Sequence, residues 1–460
     1  MIKKRYIFIA VMIIILIGLY AGGVWYYRDH LFRDTKANSY SLSNMTVEEA
    51  ERTFVKDLAA HQIKVIKKEG TEILPASEAG ITIDIGNQIK DLKLSQNYWQ
   101  WPLHFFGSST SDVQLKISYD PAKVTALVNQ MDCFKKENIT APEDAYIDAG
   151  VSAFAIVPEV MGNTVKKNEL LKKVEEAFQT GITEIDLEKE GLYVVPEHYA
   201  EDADIKEGLD KANFYSHSSI TYDYIYKKDT LGYDILKNWI KIGKNYAISL
   251  DQSLAGDYVA DMQKKYNTMG VARKFKTANG DQITIVQGDY GWKVDFKKEK
   301  KQLLKDVKAG KAIEREPVWE YRGLVRKGER DDIGKTYVEV SIKDQTVWMF
   351  DKGKCVASSS CVTGNPRKKA STTKGIYSIT FKKSPATLTG PNAQGGHYSS
   401  DVTYWMPFNG NQGLHDAPWR KSFGGNIYKS NGSHGCVNLP FDMAEAIWKH
   451  VKEGYPVIVY

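Results

Sequence analysis

From Tyr6 to Tyr27 the chain carries no charged residue. At about 1.5 Å per residue that run forms a helix of roughly 33 Å, enough to cross the hydrocarbon of a bilayer. Lys3, Lys4 and Arg5 precede it, and Trp25, Tyr26 and Tyr27 close it, the order of a basic cytoplasmic flank and an aromatic interfacial belt. A cleaved signal peptide has a shorter apolar region and a small-residue cleavage pattern, which is not seen here. The pattern therefore predicts residues 1–5 in the cytoplasm, 6–27 across the membrane and a polar connector over 28–45. Everything beyond about residue 28 is expected on the outer side.

Thr46–Glu49, "TVEE", reads as a capping box opening a helix through about Ala60. Further on, an internal repeat appears. "IVPEVMGNTV" from Ile156 matches "IVQGDYGWKV" from Ile285 at a displacement of 129 positions, aligning Gly162 with Gly291 and Val165 with Val294. The next helix continues the match: Val174 over Leu303, Phe178 over Val307, and Gly181 over Gly310 as the C-cap. Two α+β repeats are predicted, over 46–205 and 206–330, with chance similarity as the rival reading.

From Thr336 the period changes to two. "TYVEVSIKDQTVWMFDKGKCVASSSCVTG" alternates apolar and polar residues through two strands joined by "DKGK", and "GIYSITF" adds another. A helix, "FDMAEAIWKHV", and a last strand, "YPVIVY", close a mostly-β domain over 335–460. The fold class is thus multidomain: a membrane helix, two α+β repeats and a β-sandwich with a terminal helix.

Composition adds little to this. The 62 basic and 57 acidic residues are well mixed, which gives no support to nucleic-acid binding. The four cysteines matter more. Cys355 and Cys361 sit six residues apart on one strand, roughly 20 Å, too far to pair. Together with Cys133 they read as small buried hydrophobes.

Cys436 differs, because "SNGSHGCVNLP" places it after His434 and Gly435. A cysteine attacks when part of it is thiolate, which needs an adjacent imidazole or another positive field and some exposure, and a glycine beside it lets backbone amides approach a developing oxyanion. A second imidazole, His415 in "GLHDAPW", lies upstream with 17 residues between it and Ser433. In an extended segment His434 and Cys436 would share a face, so His434 is expected beside the thiol. His415 is expected from a neighbouring strand, to take and return a proton.

The spacing His415-x17-Ser433-His434-Gly435-Cys436-Val437-Asn438 resembles the signature of the L,D-transpeptidase catalytic domain, the YkuD type, over residues 335–460. The repeats are similar to the peptidoglycan-binding domains that accompany it. The resemblance implies Cys436 as nucleophile and His415 as proton donor and acceptor. His434, Ser433 and Gly435 would shape the site, with the amides of Gly435 and Cys436 as oxyanion donors. Asn438 would hold the segment or meet substrate, with Tyr398, Trp405 and Trp419 as further substrate-binding candidates. It implies a tetrapeptide stem of peptidoglycan as donor and a second stem as acceptor, joined by a 3→3 cross-link with loss of D-Ala. It also implies no cofactor, no metal, and acylation by carbapenems. "TTKG", Thr372–Gly375, departs from the family's Thr-Pro-x-Gly.

Three other readings compete. Water could resolve the thioester, making an L,D-carboxypeptidase. The module could be idle on a wall-binding anchor. His415, His434 and Cys436 could bind a metal with Asp416 or His397, although no fourth ligand is obvious. Trp99 and Trp101 could stack sugars, but burial is the plainer reading.

Overall fold

The apolar run folds as one helix, α1 (Ile2–Tyr27), in a computed structural model that describes residues 2–80, 85–106, 111–391 and 397–460. Two units make up the chain, residues 1–146 with 157–202, and residues 147–156 with 203–460.

In the first unit the capping box forms as read. The Glu49 amide donates to Thr46 Oγ1 at 3.3 Å and the Thr46 amide to Glu49 Oε2 at 3.0 Å. It opens α2 (Val47–Ala59), which buries Ala50, Phe54 and Leu58 at a spacing of four. The hairpin β1 (Gln62–Lys67) and β2 (Gly70–Pro75) follows, and α3 (Trp101–Phe106) comes later. The hairpin β3 (Tyr146–Ala149) and β4 (Phe154–Val157) lies almost wholly in the second unit, and the first resumes with α4 (Lys167–Thr180) and β5 (Glu184–Asp186). β5 pairs parallel with β1, giving the order β2-β1-β5.

The same plan recurs in the second unit. α5 (Ala203–Ser216) leads into the hairpin β6 (Ser219–Asp223) and β7 (Lys228–Leu231). α6 (Gln252–Tyr266), the hairpin β8 (Arg273–Lys276) and β9 (Gln282–Ile285), α7 (Phe296–Lys308) and β10 (Ala312–Arg315) complete it. The sheet order β7-β6-β10 repeats the first, again with a parallel outer strand. Gly181 and Gly310 both end their helices at positive φ, +78° and +63°, a conformation that favours glycine. The division expected at 205/206 falls inside α5, which belongs wholly to the second unit.

The C-terminal domain begins with β11 (Tyr337–Ser341), β12 (Thr346–Asp351), β13 (Lys354–Ser360) and β14 (Gly375–Ser378). The hairpin β15 (Ala386–Pro391) and β16 (His397–Val402) precedes β17 (Trp405–Asn409), β18 (Gln412–Asp416) and β19 (Val437–Leu439). α8 (Phe441–His450) and β20 (Pro456–Val459) end the chain. One sheet runs β13-β12-β11-β20-β14 and another β17-β18-β19. Val338, Val340, Val347 and Met349 from the first meet Met406, Leu414, Val437 and Leu439 from the second, with Met443 and Ile447 of α8. Burying each such side chain contributes about 1.5–3 kcal/mol.

The period-two pattern predicts a wet outer face for β11, yet Glu339 is fully buried. The hairpin β8–β9 covers that face: Phe275, Ile285 and Tyr290 pack on Ile376 and Ile458. Glu339 Oε1 accepts from the Ala278 amide at 2.7 Å and from Tyr460 Oη at 2.6 Å. Among the described residues Oε2 has no hydrogen-bond partner, and burial raises the carboxyl's pKa. A carboxyl raised on folding contributes stability that is complete below its unfolded pKa and lost as pH rises through the folded value. Glu339→Gln is therefore expected to raise Tm by a few degrees at pH 8, about 1 kcal/mol, and to change little at pH 4. Melts at both pH values check this; an equal loss at both would refute it.

All four cysteines are free. Cys361 is buried in the sandwich core and Cys133 is half-buried. Cys355 corrects the sequence reading: it lies exposed on β13, the edge strand of its sheet.

Candidate active site

β18 and β19 run parallel with His415 opposite Asn438, which brings the two halves of the motif onto neighbouring strands. β17 pairs on the other side of β18, placing Trp405 opposite His415. His415 is buried, its ring between Trp405 at 5.9 Å and Trp419 at 5.8 Å. His415 Nδ1 donates to the Asp416 carbonyl at 2.7 Å. That contact fixes the tautomer, because a carbonyl can only accept. Nε2 then carries the lone pair and accepts from Asn438 Nδ2 at 2.9 Å. Burial pushes the His415 pKa down to about 4, against the opposing pull of Asp416. The ring is neutral. The Asp416 carboxylate turns aside to accept from the amides of Thr403 and Tyr404.

Asn438 Oδ1 accepts in turn from Arg420 Nε at 3.2 Å. A continuous chain Arg420–Asn438–His415 results. Asn438 thus orients the imidazole, a role the sequence left open.

Cys436 is 8% exposed. Burial pushes its thiol up to about 11, while the Gly413 amide acts in the opposite direction. Its Sγ donates to the Asn411 carbonyl at 3.4 Å, and no hydrogen bond joins it to either imidazole among the described residues. The thiolate held by an adjacent imidazole, expected from the sequence, is therefore corrected to a neutral thiol near a neutral ring.

Two further expectations change for one reason. Gly435 has φ +122°, so residues 433–436 form a bend and not an extended segment. No hydrogen bond holds His434 to the thiol among the described residues; it is exposed, lines the same cleft as Cys436 and stacks on Tyr398, centroids 4.8 Å apart and planes 3° apart. Within the bend Ser433 Oγ donates to the Cys436 carbonyl at 2.5 Å and accepts from the Gly435 amide at 3.1 Å. The Gly435 amide is thereby occupied, which corrects its reading as a free oxyanion donor. Trp405 is also corrected: it packs on Gly413, where an added Cβ would meet its ring at 2.5 Å, and not along the cleft. Since both nitrogens of His415 are bonded and His434 is turned to Tyr398, these residues do not converge as metal ligands.

Several site residues escaped the sequence reading, Thr372, Gln412, Arg420 and Lys368 among them. Thr372 Oγ1 donates to the Gly435 carbonyl at 2.8 Å and accepts from the Gly364 amide at 2.9 Å, fastening the bend to the loop before β14. Gln412 sits beside it, its Nε2 2.9 Å from where a Cβ on Gly435 would fall. Glycine is required at 435 on both counts. The signal was Thr372 itself, the first residue of "TTKG".

A cleft of about 250 Å³ opens over these groups, with Tyr398, Trp419, Arg420 and Lys368 among its walls.

Residues 335–459 match the L,D-transpeptidase catalytic domain family (YkuD). Residues 73–186 and 224–314 match the family described as "Putative peptidoglycan binding domain". The Ldtfm-avibactam carbamoyl enzyme is 30% identical, covering 55% of this chain and 98% of its own, at a TM-score of 0.47. A cysteine-to-serine mutant of the Enterococcus faecium L,D-transpeptidase is 29% identical over 55% of this chain and 100% of its own, also at 0.47. The catalytic domain of the E. faecium enzyme acylated by ertapenem is 36% identical, covering 28% of this chain and 98% of its own, at 0.26. A comparison with curated proteins returned no match. The chain belongs to the L,D-transpeptidases: its C-terminal domain is the acyltransferase module, behind two repeats of the peptidoglycan-binding kind and an apolar N-terminal helix.

Proposed function

We propose that Cys436 attacks the carbonyl between the third residue and D-Ala of a tetrapeptide stem. As the S–C bond forms, the thiol proton passes to Nε2 of His415, which gives up its bond to Asn438. The C–N bond then breaks, and D-Ala leaves with that proton on its amine. A side-chain amine of a second stem loses a proton to the same nitrogen and attacks the thioester. A 3→3 cross-link forms and the thiol is restored. The Cys436 amide meets the oxyanion, while Ser433 and Thr372 hold the bend that aims it. The observation that carries this reading is the lone pair on Nε2 of a neutral imidazole, fixed by the Asp416 carbonyl one strand from the cysteine.

Arg420 and Lys368 bring positive charge to the cleft, and we assign them the terminal carboxylate of the donor. Burial lowers the Arg420 pKa, the mark of a cation short of a counter-charge. A hydrogen bond to a charged group contributes about 1.5–3 kcal/mol, so Arg420→Gln should lower kcat/KM by roughly 10–100-fold. Amidating the donor's C-terminus should cost the native enzyme a similar factor and the variant little more. Equal losses from amidation in both would refute the assignment.

The whole reading is tested by mass spectrometry of the protein mixed with a tetrapeptide donor or a carbapenem. An adduct is expected on Cys436 and on no other cysteine. An amine acceptor in the mixture separates cross-linking from hydrolysis, the carboxypeptidase outcome. The location that fits is the cell membrane: α1 crosses it once, from a cytoplasmic N-terminus, with the catalytic domain at the wall. The helix over Lys3–Tyr27 is long and apolar enough to cross a membrane.

A further inference from the structure

Residues 97–106, "NYWQWPLHFF", contain no Asp, Glu, Lys or Arg, yet they lie on the surface of the first unit. Trp99 is 54% exposed and Leu103 68%. They are four residues apart, the spacing of one helix face, and Phe105 is exposed beside them. A water-facing helix shows the opposite arrangement, polar outward and apolar inward. Here the imidazole is turned in: His104 Nδ1 lies 2.8 Å from Asp34 Oδ2, and its ring stacks on Phe32 at 4.1 Å.

What covers this face follows from what the segment touches. Trp101 lies along the end of α1, its ring 6.5 Å from that of Tyr20 and 5.9 Å from that of Tyr27. Trp101 Nε1 donates to the Tyr20 carbonyl at 3.1 Å, and Tyr20 Oη donates to the Trp99 carbonyl at 2.9 Å. Gly23 makes the approach feasible, since a Cβ there would fall 2.1 Å from the Trp101 ring. Tyr20 stands seven residues before Tyr27, about 10 Å further along the helix axis. The headgroup layer on each side of a bilayer is about 5–8 Å deep. A segment bonded to α1 at Tyr20 therefore lies below the headgroups wherever Arg28 lies among them. The exposed Arg33 has its guanidinium 5.1 Å over the Phe105 ring, a position from which it can reach a lipid phosphate.

We propose that residues 97–106 form a wedge in the outer leaflet, with Trp99, Leu103 and Phe105 facing the acyl chains and Trp101 locking the segment to α1. The inference rests on α1 being a membrane anchor. The wedge fixes how the first unit meets the bilayer, which a single spanning helix would leave free to swivel.

The test uses the full chain in vesicles of phosphatidylglycerol and phosphatidylcholine, with Cys133, Cys355 and Cys436 replaced by serine so that no other reactive thiol takes the label. A nitroxide is placed on Leu103→Cys, with parallel samples labelled on Ile14→Cys in α1 and on Lys172→Cys, an exposed position of α4. Leu103 is largely exposed, so its replacement leaves packing intact. Collisions with oxygen and with a water-soluble nickel chelate are then compared. The label at 103 is expected to favour oxygen as that at 14 does, with a ratio several times that at 172. If 103 matches 172 while 14 is sheltered, the anchor stands and the wedge is refuted. If 14 also matches 172, the anchor reading has failed and the wedge falls with it.

Discussion

Cys436→Ala is expected to remove the acyl adduct entirely and to lower turnover by about four orders of magnitude or more, the scale on which covalent enzymes lose a nucleophile. The fold should survive. The sulfur is buried, but deleting one such atom costs only about 1 kcal/mol, a shift of a few degrees in Tm. Cys436→Ser should be as inactive, because a hydroxyl in the same dry pocket is harder to deprotonate than a thiol already raised to about 11. Intact-mass and melting measurements on both variants check the pair of claims. Turnover within tenfold of the native enzyme in either would remove the mechanism.

The second large effect concerns His415. With its pKa near 4 and the thiol near 11, neither group is charged over the neutral range. Acylation by a carbapenem or a tetrapeptide should then be level from about pH 5.5 to 8.5, and fall as pH drops through about 4 and the base is lost. A thiolate–imidazolium pair would behave differently: each charge holds the other, so the histidine rises above its ordinary value of about 6.5 and acylation falls on the alkaline side as the imidazolium is lost. His415→Gln should cost about 10²–10⁴ in acylation rate, the usual worth of general base catalysis. Stability follows the same group. A histidine lowered on folding contributes stability that is complete above its unfolded pKa and lost as pH falls towards the folded one. The native protein should therefore weaken between about pH 6.5 and 4 by a few kcal/mol, and His415→Gln should flatten that slope. Stopped-flow acylation and pH-dependent melts measure the two halves. An alkaline limb in acylation, set by a raised histidine, would mean that the resting pair is ionic.

These expectations differ from the sequence reading at one point, and the cause is local. Six consecutive positions, Ser433 to Asn438, named the nucleophile, and the 17-residue gap named its base. Alternation in period two says that His434 and Cys436 share a face, but that holds only for extended backbone. Gly435 at φ +122° turns the segment, sends His434 to Tyr398 and leaves Cys436 facing Gly413 and Asn411. Thr372 and Gln412, which fasten the turn, are remote in sequence from it, and no spacing rule joins them.

Periodicity alone determined the apolar span, the capping box at Thr46, the duplicated strand–helix units and the β character of the last domain, because each depends on neighbours a few residues apart. The identity of the nucleophile and its base was equally legible, since their chemistry resides in residue type. Tertiary structure decided which charges exist. The neutral state of Cys436 and His415, the raised carboxyl of Glu339 under the β8–β9 hairpin, and the outward tryptophan of residues 97–106 all follow from what distant segments cover or leave bare. Burial is a property of the assembled fold, and the energy of a charge depends on its surroundings far more than on its place in the chain.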